Sequence, residues 1–202
     1  MAHVSNSLGC FGSFRMFMDN LPEFDGWRFS HEVVWEKNIG SGPGLTDRFY
    51  RVHELAALWY HGSWNDLHHV TPRVSSNGAP NKTWRSSGKP QSDRNAHRGD
   101  IGEQGGYSDD GTRLQRSVML VPSTRGRAVH PTQKPVGIVT PLIEYSVPVG
   151  GLVVDPFAGS GTTLLAAKLS GRRAIGTEIN EAYCEAAARR LSQQAFDLGA
   201  LA

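Results

Sequence analysis

The stretch Leu152-Val-Val-Asp-Pro-Phe-Ala-Gly-Ser-Gly-Thr-Thr163 decides the fold of this sequence. Its first four residues form an apolar run that ends in a carboxylate, which is typical of a buried strand in a parallel sheet. Gly159 and Gly161 then remove side chains where the backbone must approach another group closely. A helical segment follows from Thr162 to Leu169, and Gly171 ends it. The stretch therefore predicts a strand, a glycine-rich turn and a helix.

Helices and strands alternate on both sides of this stretch. Upstream, apolar residues recur at helical spacing from Val136 to Val147. Downstream, Arg173 to Glu178 is predicted to be a second strand, and Asn180 can cap the helix that follows. This alternation predicts an α/β fold with a Rossmann-like, doubly wound and mostly parallel sheet. We expect His31 to Trp35 and Glu54 to Tyr60 to be further strands of that sheet.

The glycine-rich turn is predicted to bind a ligand. A phosphate-binding loop would carry a lysine directly after its last glycine. Here Thr162 occupies that position, and the first lysine after the turn is Lys168. A dinucleotide remains possible, although only two of the three expected glycines are present. Glu178, at the end of the next predicted strand, is placed to accept hydrogen bonds from ribose hydroxyls. The alternative is a tight turn that binds nothing.

A second motif, His130-Pro-Thr-Gln-Lys-Pro135, precedes the first predicted helix. Together with Asp155 to Thr163, Gly171 to Glu178 and Tyr183, it resembles the C-terminal part of the DNA methyltransferases that modify adenine N6 or cytosine N4. The resemblance covers residues 115–193 well and residues 13–61 more loosely. It implies a circularly permuted order within a single domain, 1–202: catalytic-half strands in 1–61, a loop-rich target-recognition insert in 62–127, and a cofactor-binding part in 128–202.

The resemblance implies S-adenosylmethionine as the cofactor and assigns residues to it. His130, Thr132 and Lys134 would lie by its methionine end, and Glu178 would hold its ribose. The remaining cofactor-binding residues would form the loop beneath it: Asp155, Phe157, Gly159, Gly161 and Thr162. Other interpretations stay open, namely surface positions for His130 and Lys134 and plain core packing for Phe157 and Tyr183.

The catalytic motif of the family is absent. Methyl transfer to an exocyclic amine needs a hydrogen-bond acceptor and an aromatic face for the flipped base, which the family supplies as Asp, Asn or Ser followed by Pro-Pro and an aromatic. The eleven prolines of this chain include no adjacent pair. Asp155-Pro156-Phe157 imitates the motif, but the glycines after it assign it to the cofactor loop. The catalytic residues are therefore unknown.

The N-terminal region resembles the later catalytic-half strands of the family. The similar segments are Ser13 to Asn20, His31 to Asn38 and Arg51 to Leu55. This similarity predicts that one or two strands are missing and that the sheet has an open hydrogen-bonding edge. We expect a separately encoded N-terminal fragment, or a homodimer partner, to cover that edge.

A basic segment lies between the two halves. Residues 72–127 contain ten Lys or Arg and five Asp or Glu, although the whole chain carries a net charge of only +2. Arginines bind phosphates and read guanine edges, and interleaved Trp84 and Tyr107 can stack on bases. A solvated, disordered loop is the alternative. Because the family inserts target recognition at this point, we expect contacts with double-stranded DNA from Arg85, Arg94, Arg98, Arg113 and Arg116.

The remaining features predict a protein of the cytoplasm without membrane contact. No run of about 18 apolar residues and no basic-then-apolar N-terminus is present. Cys10 and Cys184 lack metal-ligand spacing, so we expect packing thiols and no metal. The predicted function is a site-specific DNA methyltransferase of the restriction-modification type, with adenine N6 favoured over cytosine N4. The alternative is an inactive or split remnant that binds cofactor or DNA, and RNA is a weaker third substrate.

Overall fold

The helices and strands follow the alternation expected from the sequence. The computed structural model describes residues 6–38, 49–75, 111–124, 126 and 128–197. The strands in these ranges are β1 (Ser7–Gly12), β2 (Arg28–Glu36), β3 (His53–Tyr60), β4 (Arg73–Ser75), β5 (Thr112–Leu114), β6 (Val118–Leu120), β7 (Leu152–Asp155) and β8 (Arg173–Gly176). The helices are α1 (Phe14–Asp19), α2 (Val136–Ser146), α3 (Thr162–Leu169) and α4 (Glu181–Asp197).

The chain divides into two units. The first comprises Met1–Pro72 and Arg116–Ala202, and the second is Arg73–Gln115. In the described part of the second unit, β4 and β5 pair antiparallel. Arg73 Nε donates a hydrogen bond of 2.6 Å to the hydroxyl of Thr112 across this pair.

None of the helices in the described ranges is long and apolar enough to span a membrane.

The first unit contains two sheets. One has the order β1-β3-β2-β6, in which β3 runs antiparallel to β1 and β2, and β2 runs parallel to β6. Strands β1, β2 and β6 therefore share one direction, and β3 is reversed. The other sheet is the parallel pair β7 and β8. The expected Rossmann-like, mostly parallel α/β fold is confirmed.

Apolar side chains cover both faces of the four-stranded sheet. Because successive residues of a strand point to opposite faces, Ala56 and Leu58 enter one cluster while Ala57 and Trp59 enter the other. The smaller cluster includes Phe17 of α1. The larger cluster continues from the four-stranded sheet onto α2, α3 and the β7–β8 pair through Met119, Ile138, Val139, Ile143, Ala166 and Ala167, with Val153 and Ala174 packed against it.

Most of the predicted elements are present at the predicted positions. Helix α3 has the predicted bounds, and α2 ends one residue before the predicted end. The prediction of a strand at Ser13 to Asn20 was wrong, because this segment forms α1. The Ser13 hydroxyl accepts the backbone N–H of Met16 at 3.2 Å, and such an N-cap favours a helix even where the residues are apolar. The second predicted strand ends at Gly176, two residues early.

Ile138 is the largest side chain that is completely buried in the described structure. Replacing it with alanine should lower the free energy of unfolding by about 3 kcal/mol, because the change leaves a cavity in the larger cluster. The matched control is Ile179→Ala, since Ile179 is fully exposed. Urea unfolding followed by circular dichroism measures both losses. Similar losses in the two variants would contradict the core described above.

Candidate functional site

In the turn after β7, two glycines occupy backbone positions that other residues disfavour. Gly159 and Gly161 have φ angles of +52° and +76°, in the left-handed region that side chains disfavour. A Cβ on Gly161 would lie 2.8 Å from the Cβ of Ala187 in α4. A Cβ on Gly159 would lie 3.5 Å from the ring of His130. The turn is therefore enclosed by segments that come before it and after it in the chain.

The end of β8 holds the same turn from its other side. The N–H of Ala158 donates to the carbonyl of Thr177 at 2.9 Å, and the N–H of Thr177 donates to the carbonyl of Asp155 at 3.0 Å. A Cβ on Gly176 would lie 2.9 Å from the Cβ of Ala158. Gly176 is thus a third position of close backbone approach, outside the glycine pattern that the sequence suggested.

Glu178 lies directly beside the turn. Its Oε2 accepts the N–H of Gly159 at 2.8 Å, and its Oε1 accepts the N–H of Asn180 at 2.9 Å. The hydrogen bond from Asn180 and then that from Gly159 lower the pKa of the Glu178 carboxyl below its ordinary value. The group is therefore ionised at neutral pH and presents a negative acceptor at the carboxyl ends of β7 and β8.

His130 packs against the turn. Its ring meets Tyr183 of α4 edge-on, with 4.3 Å between the ring centroids. Its Nδ1 accepts the N–H of Thr132 at 3.2 Å, and the hydroxyl of Thr132 lies 3.1 Å from the same nitrogen. These contacts fix the orientation of the imidazole. The structure thus brings the two sequence motifs together through His130 and Gly159.

A hydrogen-bonded chain that the sequence did not reveal links the motifs a second time. The buried Ser160 donates from its hydroxyl to Gln133 Oε1 at 2.9 Å. Arg190 of α4 donates to the carbonyl of Ser160 and, at 3.0 Å, to its hydroxyl. Gln133 and Ser160 lie inside the quoted motifs, but nothing local marks Arg190. We name this set Gln133, Ser160 and Arg190 the loop clamp.

The other predicted residues of the turn differ in exposure. Phe157 is 87% exposed, so its ring is not part of the core. Its N–H donates to Asp155 Oδ1 at 3.0 Å, which fixes the first half of the turn. Thr162 is buried, and its hydroxyl lies 3.4 Å from Arg190. Asp155, Phe157 and Thr162 therefore lie on one turn, with different surroundings.

Comparison with known proteins gives the family. A family model described as DNA methylase matches residues 5–189. The chain belongs to the DNA methylase family. Over 62 residues it is 50% identical to the DNA adenine methyltransferase YhdJ of Escherichia coli strain K12, a match that covers 31% of this chain and 21% of YhdJ.

Solved structures of low sequence identity share the fold of this family member. The M1.HpyAVI–SAM complex is 22% identical, with a TM-score of 0.61 over 93% of this chain and 75% of that one. PvuII DNA methyltransferase (cytosine-N4-specific) is 13% identical, with a TM-score of 0.58 over 90% of this chain and 62% of that one. The chain spans less than half the length of the curated relatives it matches, for example 34% and 46%.

Lys134 contacts the four-stranded sheet of this DNA methylase chain. Its ammonium donates to Glu54 Oε1, and Lys37 donates to Glu54 Oε2 at 2.9 Å. The Lys134 ammonium also lies 5.4 Å from the ring centroid of Phe11 and 5.8 Å from that of Trp35. The motif at 130–135 thus contacts the turn with His130 and the four-stranded sheet with Lys134. Nothing in the sequence indicated that Glu54 would pair with this lysine.

The predicted DNA-contacting arginines are only partly described. Arg113 and Arg116 are exposed. Arg85, Arg94 and Arg98 lie outside the described residues.

Of the two cysteines, Cys10 packs against the smaller cluster, whereas Cys184 is exposed and its thiol lies 3.3 Å from the carbonyl of Glu178. The prediction of a packing thiol was therefore wrong for Cys184.

Substitution of Gly161 tests the close approach to α4. Gly161→Ala should lower the free energy of unfolding by about 3 kcal/mol, since it adds an overlap with Ala187 to the cost of a left-handed alanine. Gly62→Ala is the matched control, because Gly62 has a φ of +84° and open space around it. That control should lose only about 1 kcal/mol. Equal losses, measured by urea unfolding, would show that α4 does not restrict the turn.

The Glu54 ion pairs should make stability depend on pH. Burial alone would raise the pKa of Glu54, but the hydrogen bonds and charges of Lys134 and Lys37 outweigh it and hold the pKa below the ordinary 4.5. The stabilisation is therefore present above pH 4.5 and is lost as the pH falls through the lower value of the folded state.

Glu54→Gln should lower the free energy of unfolding by about 2 kcal/mol at neutral pH, and should weaken the loss of stability on acidification. Glu36→Gln is the control, since Glu36 is exposed on the neighbouring strand. Thermal unfolding between pH 3 and pH 7 compares the variants. An unchanged acid profile in Glu54→Gln would contradict the assignment.

Proposed function

We propose that this chain binds S-adenosylmethionine at the turn after β7 and forms part of a methyltransferase acting on an exocyclic amine of DNA. The observation that carries the proposal is the meeting of His130 and Glu178 at Gly159, at the carboxyl ends of two parallel strands. Ligands of open α/β sheets bind at that edge. The same residues were assigned to the cofactor by the resemblance of their motifs.

The residues at the turn fit the chemistry of this cofactor. The exposed ring of Phe157 offers an apolar face to an adenine. The ionised carboxylate of Glu178 can accept hydrogen bonds from ribose hydroxyls, because each of its oxygens has a lone pair beyond the one used for Gly159 or Asn180. Gly159 and Gly161 let the turn follow a left-handed path close to His130 and Ala187. His130 and Thr132 would border its methionine end.

When bound, S-adenosylmethionine supplies a methyl group on a sulfonium, which passes to the amine nitrogen as the sulfur–carbon bond breaks and the amine loses one proton. The residues of this chain bind and orient the donor. In the described ranges Glu54 is already paired with two lysines, and Glu178 is bonded to the turn. We therefore assign neither glutamate as the hydrogen-bond acceptor for the amine.

We further propose double-stranded DNA as the substrate, with residues 62–127 as its target-recognition insert. A flipped base needs a pocket beside the cofactor. A cleft of about 950 Å³ adjoins the 130–135 motif and is lined in part by Gly12, Phe14, Trp35, His53 and Lys134. Adenine N6 is favoured over cytosine N4, although relatives named for each base exist. We propose that the protein acts in the cytoplasm as part of a restriction-modification system.

A second candidate function is a remnant that binds the cofactor and methylates nothing. The observation that favours it is the absence of adjacent prolines from the sequence, since the family places its catalytic acceptor before such a pair. Transfer of labelled methyl from S-adenosylmethionine to DNA by this chain alone would exclude the remnant, and would also overturn our account of the missing acceptor.

Binding of S-adenosylmethionine, measured by isothermal titration calorimetry, tests the proposal directly. Glu178→Gln should weaken binding about tenfold, because a charged acceptor for the ribose becomes neutral. Glu181→Gln removes the same charge three residues further on and should bind as the parent does. Melting curves without cofactor check that both variants keep the turn folded. Absence of binding by the parent chain would overturn the proposal.

A further inference from the structure

The cleft beside the 130–135 motif concentrates positive charge. The described residues that line it include four cations and one carboxylate, namely Arg15, Lys37, Arg51, Lys134 and Glu54. The whole chain carries a net charge of only +2, so this lining is much more basic than the chain as a whole. A cleft whose walls carry one sign of charge attracts ligands of the opposite sign. The lining therefore favours an anionic ligand.

The four cations differ in the partners that they already have. The two lysines are bonded to Glu54. Arg15 lies 3.4 Å from the carboxylate of Asp19 in α1. Arg51 is exposed and makes no ion pair or hydrogen bond with any described residue. Its guanidinium is therefore available to phosphate oxygens, which the planar fork of an arginine can bind through two parallel hydrogen bonds.

Arg51 and Phe14 lie at the same edge of the four-stranded sheet. Backbone pairing continues past the end of β2, because the N–H of Lys37 donates to the carbonyl of Val52 at 2.7 Å. Arg51 precedes Val52 and so lies at the carboxyl edge of β2. Gly12 ends β1 at this edge, since β1 and β2 share one direction, and Phe14 follows two residues later. Both side chains line the one cleft.

Phe14 offers the cleft an exposed aromatic ring. It is the first residue of α1 and is 69% exposed. Trp35 also lines the cleft but is only 3% exposed. The ammonium groups of Lys37 and Lys134 lie 4.7 Å and 5.8 Å from the Trp35 ring centroid. Of these two rings in the described lining, only that of Phe14 is open to a base, and bases taken out of a duplex stack on such rings.

We propose that Phe14 and Arg51 together hold one unstacked nucleotide of the DNA, with its base on the Phe14 ring and an adjoining phosphate on the Arg51 guanidinium. This inference rests on the proposed function, because it names residues of this chain that bind the proposed substrate. An isolated exposed phenylalanine is ordinary on a protein surface. Phe14 differs in standing beside an unpaired arginine in a basic cleft.

The size and position of the cleft fit a single nucleotide. Its volume of about 950 Å³ is in the range of pockets that hold one ligand of drug size. Thr132 lines the cleft, and its hydroxyl lies 3.1 Å from the ring of His130, which packs against the glycine turn. A nucleotide in the cleft therefore lies next to the proposed methionine end of the cofactor.

Two labelled DNA duplexes of random sequence test the site without knowledge of the target. One is fully paired, and the other has a short central bubble whose bases are already unstacked. Fluorescence anisotropy should show that the parent chain binds the bubble duplex at least about fivefold more tightly, because no base pair has to be opened. Equal affinities for the two duplexes overturn the proposal.

Variants of Phe14 test the aromatic face. Phe14→Leu should weaken binding of the bubble duplex about tenfold and leave the paired duplex unchanged, because only an unstacked base uses the ring. Phe14→Tyr keeps the ring and should bind as the parent does. Phe29→Leu is the matched control, since Phe29 is exposed on β2 at roughly 23 Å from the carboxyl end of that strand. Equal affinities of the Leu and Tyr variants at position 14 overturn the stacking role.

The salt dependence of binding tests the phosphate contact. Arg51→Gln should weaken binding of both duplexes and lower the slope of log affinity against log salt by about one, since one phosphate contact is lost. Arg28→Gln removes the same charge at the opposite end of β2 and should leave the slope unchanged. An unchanged slope in Arg51→Gln overturns the phosphate contact.

Three further measurements separate this inference from the proposed function. Normal binding of cofactor and duplex by variants at positions 14 and 51 overturns this inference alone. Absence of cofactor binding by the parent, with the losses at both positions intact, overturns the cofactor assignment alone. Tighter binding of an RNA bubble than of the DNA bubble overturns DNA as the partner. All four substituted residues are exposed, so melting curves of every variant should match that of the parent.

Discussion

Most of the first unit is organised around a short length of backbone that must stay free of side chains. Gly161 meets Ala187 of α4, and Gly176 meets Ala158 of the turn, each at a distance that a Cβ would violate. The loop clamp then holds the turn from α4 and from the 130–135 motif. Because β7, β8, α3 and α4 all contact this turn, their relative positions depend on it. Glu178 and His130 both contact Gly159, so the close packing of this turn also positions them.

The elements that could be predicted from sequence are those with a local signal. Helix α2 follows from its apolar spacing, and β7 with its turn follows from an apolar run ended by Asp155 and two glycines. Strand β6 has only three residues in a region without periodicity, so nothing local distinguishes it. At α1 the resemblance to strands of the family suggested a strand, but the capping hydroxyl of Ser13 selects a helix.

The site could be predicted in part for the same reason. His130, Gly159 and Glu178 lie within motifs, and the structure places them together. Glu54 bonds to Lys134, which is 80 positions away, and Arg190 bonds to Ser160, which is 30 positions away. No periodic pattern marks a contact of that kind. Lys134, which the motif resemblance assigns to the cofactor, is paired with Glu54 in the structure. The role of each residue toward a ligand stays a prediction.

Membership of the DNA methylase family is carried by almost the whole described first unit. The matched region includes the turn and the strands of the first unit, and it ends one residue before Arg190 of the clamp. The larger cluster joins both sheets into one hydrophobic core.

The loop clamp also has a consequence for the order in which the chain is made. Synthesis delivers Gln133 and Ser160 well before Arg190, which lies in the middle of α4. Until α4 has left the ribosome, the carbonyl and hydroxyl of Ser160 lack their guanidinium donor, and the glycine turn lacks the wall that Ala187 provides. Strands β7 and β8 can pair earlier, but the turn between them takes its final shape only afterwards. The glycine turn therefore reaches its final structure only when Ala187 and Arg190 of α4 can pack against it.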